Sequence, residues 1–90
     1  MIAREAIRVA KEYVADVFSE EGIHNIGLEE IEYIADGNLW MVTVGFSRDW
    51  DRPVIGGLLG DRAAPRTFKT VSIDNGSGLA IGIKNRIIQG

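Results

Sequence analysis

Glu30 and Glu32 stand two residues apart in the run Glu30-Ile31-Glu32-Tyr33. On an extended chain that spacing puts two carboxylates on one face, about 7 Å apart. Paired carboxylates at such a distance can work as general acid and base. Nothing else in the chain joins them. Ser19, Ser47, Ser72 and Ser77 have no base nearby in sequence and no nucleophile-elbow motif around them. Two glutamates on the wet face of an amphipathic strand are the commoner arrangement, so no catalytic residue is assigned. His24 is the one histidine and there is no cysteine, which leaves no ligand set for zinc. His24 is expected to be exposed or to sit at a helix C-terminus, where imidazolium is favoured. Asp49, Asp51 and Asp61 lack calcium-loop order, because Pro53 and Val54 occupy positions that need a ligand and a glycine. No metal and no cofactor is expected.

Gly57-Leu58-Leu59-Gly60 has the outline of the G-x-x-G loop that clamps a nucleic-acid backbone. That loop joins two helices; here Pro53 and Pro65 flank it, with extended segments beyond, and no cation lies inside it. It is not a phosphate-binding loop, since no Gly-Lys-Ser/Thr follows, and it lacks the strand-to-helix setting of a dinucleotide fingerprint. A nucleic-acid partner is not expected, in keeping with a net charge of −3.

The elements that would position these residues can be read from periodicity. Residues 2–20 read as a helix, with Ile2, Ala6, Val9, Ala10, Tyr13 and Val17 at helical spacing and Ile7, Val14 and Phe18 widening the stripe. Gly22 reads as a left-handed C-cap. The apolar arc is broader than one sheet face needs, leaving an edge that a second chain could cover. Residues 26–34 read as a strand with Ile31 and Tyr33 on one face and Glu30 and Glu32 on the other. Ile26 and Leu28 fall out of phase with that pattern, and a bulge near Glu29 and Glu30 would restore it.

Asp36-Gly37-Asn38 signals a hairpin turn. Residues 39–47 read as the strongest strand, with Trp40, Val42, Val44 and Phe46 toward the helix. The alternate set, Leu39, Met41, Thr43 and Gly45, is less polar than an ordinary wet face, so that side is expected to be partly covered. Residues 67–74 follow with Val71 and Ile73 inward and Lys69 outward. Asn75-Gly76-Ser77-Gly78 turns the chain into residues 79–88, with Leu79, Ile81 and Ile83 inward and Lys84 and Arg86 on the other phase. One helix and two hairpins predict a single α+β domain over residues 1–90: an N-terminal helix packed on a four-stranded antiparallel sheet.

The 90 residues are 46% hydrophobic and 26% charged, a globular balance. No run approaches the roughly 20 apolar residues that cross a bilayer, so no membrane partner is expected. Charges at Arg4, Glu5, Arg8, Lys11 and Glu12 do not suit a secretory signal. A cytoplasmic protein is expected, with a domain cut from a longer precursor left open. Residues 1–47 hold three basic against nine acidic residues, and residues 48–90 hold seven against four. Such halves can steer a charged partner or pair head to tail. A mosaic surface whose halves interleave in space is the plainer reading.

Arg48 to Arg66 separates the two strand pairs by 19 residues, longer than an ordinary hairpin connection. Arg48, Trp50, Arg52, Val54, Ile55, Leu58, Leu59 and Arg62 are the candidate partner-binding residues, because aromatic and arginine side chains dominate interface hot spots. Two readings fit this loop. It binds another chain, or its apolar residues fold back to cap the open end of the core.

The helix with spaced alanines, Leu28-Glu29-Glu30-Ile31-Glu32-Tyr33, Trp40-Met41-Val42-Thr43-Val44, and Val71-Ser72-Ile73-Asp74 followed by Gly78 resemble the PepSY family. The likeness runs from about Ala3 to about Ile83, and the wider architecture resembles cystatin-like folds. It implies a helix-on-sheet domain of the kind implicated in restraining peptidases. The chain departs from that pattern in its long middle loop, and its charged N-terminal residues are not those expected of a signal sequence. The short hairpin Ala35-Asp36-Gly37-Asn38 also lacks the Q-x-V-x-G wedge of papain inhibitors, so that mode of inhibition is not expected.

The expected function is therefore non-enzymatic. The chain should be a small protein-interaction module, inhibitor-like or immunity-like, acting through residues 48–66 on a foreign chain or on a second copy in a homodimer. The alternative is a small-molecule-binding or enzymatic domain with a pocket between helix and sheet. Convergence of Tyr13, Tyr33 and Thr43 on such a pocket would favour that alternative.

Overall fold

The computed structural model describes residues 1–48 and 66–86. Within them the order is helix α1 (Ala3–Val17), strand β1 (Ile23–Ile34), a 3-10 turn (Ala35–Gly37), and strands β2 (Leu39–Arg48), β3 (Thr67–Asp74) and β4 (Ala80–Asn85). The strands form one antiparallel sheet in the order β1-β2-β3-β4. Helix α1 packs on one face, giving the expected α+β architecture. No helix among the described residues is long and apolar enough to cross a membrane.

Ala6, Ala10 and Val14 repeat every four residues and are fully buried. Their small side chains let the helix approach the sheet closely. Opposite them Val42, Val44, Phe46, Val71 and Ile73 are also fully buried. Met1, Val9, Tyr13, Phe18 and Ile31 fill the margins. At the N-terminus the Glu5 carboxylate accepts a bond from the Ile2 backbone N–H (3.1 Å). Ile2 and Val17 were expected on the buried stripe and are exposed. Both lie at helix ends, and in the last turn Phe18 instead meets Phe46, with ring centroids 5.4 Å apart. Gly22 does not cap the helix. The helix stops at Val17, Phe18 occupies the C-cap, and Gly22 (φ 61°) turns the chain into β1 four residues later.

Strand β1 begins at Ile23, earlier than its alternation predicts, and carries two bulges. One lies between Leu28 and Glu30, so Glu29 is the extra residue and Leu28 and Ile31 share a face, as the broken phase predicts. The other lies between His24 and Gly27, where Asn25 takes a left-handed conformation (φ 58°). His24 is therefore a half-buried strand residue opposite Ser47, rather than an exposed residue or a helix cap.

On β2 Val42, Val44 and Phe46 face α1, and Trp40 joins the core margin. The opposite set is covered as expected: Thr43 is 2% exposed and Gly45 is buried. A Cβ on Gly45 would stand 3.0 Å from the Phe68 ring, so the ring lies closer over the strand than it could beside a larger residue without shifting by a few tenths of an ångström.

Two expectations on the second hairpin need correction. Lys69 pairs with Val44 and has the phase of Val71 and Ile73, so it lies on the helix side, with its ammonium 5.4 Å from the Phe18 ring. Leu79 and Ile81 are 65% and 60% exposed. A register shift puts Ser72 opposite Gly82 but Ile73 opposite Ala80, leaving Ile81 as the extra residue. Ala80 and Ile83 pack on the core instead.

Candidate functional site

Arg48 closes β2 on the helix side. Its Nε donates to Glu21 Oε1 (2.9 Å) and its Nη1 donates to Thr67 Oγ1 (2.9 Å). The guanidinium lies 5.4 Å from the Phe18 ring centroid and 5.3 Å from that of Phe46. With 15% of its side chain exposed, Arg48 ties the helix exit to β2 and β3. Arg66, just before β3, donates to the Asn25 carbonyl (3.0 Å) and approaches Glu29 at 3.9 Å. These two arginines fix the chain on either side of residues 49–65. Trp50, Arg52, Val54, Ile55, Leu58, Leu59 and Arg62 lie outside the described residues.

The helix-free face of the sheet holds the most organised polar group among the described residues. Register aligns Glu30, Thr43, Thr70 and Lys84 in one row across all four strands. The Thr43 and Thr70 hydroxyls bond at 2.9 Å, with 2% and 6% of each residue exposed. Arg86, two residues past Lys84, reaches across β2 and β3 to pair with Glu30 (2.9 Å). Together with Glu32, Ile34, Leu39 and Met41, these residues line a cleft of about 420 Å³. Its acids come from β1 and its bases from the β4 end. Glu30 and Glu32 do share this face, as their spacing predicts, but Glu30 is paired with Arg86.

A second cleft, about 500 Å³, follows the seam between α1 and β4 and is lined by Val9, Glu12, Tyr13, Asp16, Leu79 and Ala80. Tyr13 belongs to this seam. Tyr33 lies at the far end of β1, its hydroxyl donating to Asn38 Oδ1 (2.7 Å), and Thr43 is on the opposite face of the sheet. The three do not converge.

Sequence reasoning missed the row of outward residues. Its signal was present, since Glu30, Thr43, Thr70 and Lys84 each occupy the outward phase of their strands, but the row needs the register of all three strand pairs. Among the described residues no group of three or more histidine or acidic side chains could hold a metal ion. No family model, curated protein or solved structure matches the chain.

Proposed function

We propose that this chain is a non-enzymatic protein-interaction module that engages another protein through the segment between Arg48 and Arg66, in the manner of an inhibitor or immunity-type protein. The observation that carries this reading is the filled helix–sheet interface. Ala6, Ala10 and Val14 meet Val42, Val44, Phe46, Val71 and Ile73, and all eight are fully buried. A close-packed interface of that kind leaves no room for a substrate among those eight residues, and the α1–β4 cleft lies at the margin outside them. The scattering of Tyr13, Tyr33 and Thr43 supports the same reading. The segment itself sets Trp50, Val54, Ile55, Leu58 and Leu59 among arginines, the composition of an apolar interface core with a polar rim. The likeness to PepSY sequences agrees with a restraining role toward a partner, and the proposed setting is the cytoplasm.

The test replaces residues 54–60 with a short Gly/Ser linker. Closing a shorter loop costs little entropy, so circular dichroism should report an intact helix and sheet. Immobilised wild-type and variant chains are then compared for proteins captured from a lysate of the source cells. Capture should fall by more than the tenfold that about 1.4 kcal/mol represents. Loss of the dichroism signal would mean that the segment is a lid on the core. An intact fold with unchanged capture would mean that the segment is passive. Either result overturns the reading.

A further inference from the structure

We propose that the helix-free face of the sheet is a seam for a second copy of this chain, packed face to face about a two-fold axis parallel to the strands. Antiparallel sheets cover one face with their own core and leave the other to water. Here the second face is not an ordinary wet one. Its centre is the bonded Thr43–Thr70 pair, flanked by half-buried Ile34, Leu39 and Met41. Its charges are segregated by strand, with Glu30 and Glu32 on β1 and Lys84 on β4, while Arg86 carries its guanidinium over to Glu30.

That segregation selects the geometry. An axis perpendicular to the strands would stack β1 on β1 and set glutamates against glutamates. An axis parallel to them lays β1 of one copy over β4 of the other. Glu30 of each copy then faces Lys84 of its mate, and Thr43 faces Thr70. The contact is self-complementary, as a two-fold interface must be, and each attraction occurs twice. Lys84, which has no ion-pair partner among the described residues, supplies a charge that Glu30 of a mate would satisfy.

The area sets the strength. Four strands span roughly 14 Å, and the eight residues of β3 run about 27 Å. The helix-free face outlined by the described strands is therefore near 400 Å² per copy, below the roughly 800 Å² per partner of a standard interface. A weak dimer in the micromolar range, sensitive to salt, is the expected outcome.

Sedimentation velocity over a micromolar concentration series tests this on four samples: wild type, Glu30→Lys, Lys84→Glu, and an equimolar mixture of the two variants. Both positions are exposed, and circular dichroism checks that each variant folds. Wild type should dimerise, each variant alone should associate at least tenfold more weakly, and the mixture should regain wild-type association, because every facing pair in the mixed dimer is again opposite in sign. Misfolded variants could not recover by mixing. A wild type that stays monomeric, a single variant that associates like wild type, or a mixture that stays monomeric would overturn the proposal. A chain with residues 54–60 replaced should still dimerise; if it does not, self-association belongs to that segment and the sheet face is not the seam.

Discussion

Arg48 can be exchanged for lysine without altering the charge of the chain, and that exchange isolates what its guanidinium does. The planar fork donates to Glu21 and Thr67 at once and lies close to two phenylalanine rings. A lysine ammonium can keep one of those bonds but not the fork, and it interacts less well with the rings. Arg48→Lys should therefore cost ~1–2 kcal/mol. In a domain of this size that lowers Tm by several degrees, at roughly 4–8 °C per kcal/mol, as thermal circular dichroism would register; an unchanged Tm would contradict the bridging role. From the sequence Arg48 reads as a rim residue of the long loop. Its structural partners are invisible there because Glu21 lies 27 positions away and becomes a neighbour only when the helix exit folds against the end of β2.

At the scale of the element, the strands show how far alternation carries and where it fails. In β1 the phase of Ile26 and Leu28 conflicts with that of Ile31 and Tyr33, and the conflict announces the bulge at Glu29. In β4 the run Leu79, Ile81, Ile83 alternates without a flaw, so no bulge is signalled. The shift at Ile81 arises in the preceding turn, where Asp74 holds the Ser77 N–H with its carboxylate (2.8 Å) and the Gly78 N–H with its carbonyl (2.8 Å). That geometry delivers Ala80, not Ile81, to the core. Lys69 was misplaced for a different reason. Its charge suggests water, while its phase sets it beside Val71, and the ammonium reaches the sheet margin where Asn85 accepts its bond. The bulge assignment makes a prediction that the plain alternation contradicts. Ile81→Lys should stay within about 0.5 kcal/mol of wild type, as for surface changes generally, whereas Ile83→Lys should cost several times more by thrusting an ammonium toward the core. Urea titrations of the two variants decide it, and equal losses would restore the alternating assignment.

At the scale of the whole molecule, the two hairpins are joined by the pairing of β2 with β3 and by polar clamps beside it. At the end away from Arg48 the clamp is an asparagine pair. Asn75 donates its backbone N–H to the Asn38 carbonyl (3.0 Å) and its side-chain amide to Asn38 Oδ1 (3.1 Å), while its own Oδ1 accepts from Trp40 Nε1 (2.9 Å). Asn38 needs the left-handed conformation it adopts (φ 55°), and its Oδ1 also receives the Tyr33 hydroxyl. One side chain thus locks both turns and orients the Trp40 ring, which contacts Tyr33 at 5.1 Å between centroids. In Asn75→Ala the Trp40 N–H and the Asn38 amide oxygen each lose a protein partner. Both sites are near water, so the cost should be about 1–2 kcal/mol rather than that of a buried orphan. The distribution of the loss is the sharper expectation. Amide exchange should accelerate most at the turn ends, around residues 33–40 and 73–80, and least at Arg48 and Thr67, where the other clamp still holds. Uniform acceleration along both hairpins would mean that the sheet opens as one unit and that the asparagine pair adds stability without dividing the molecule into separately held ends.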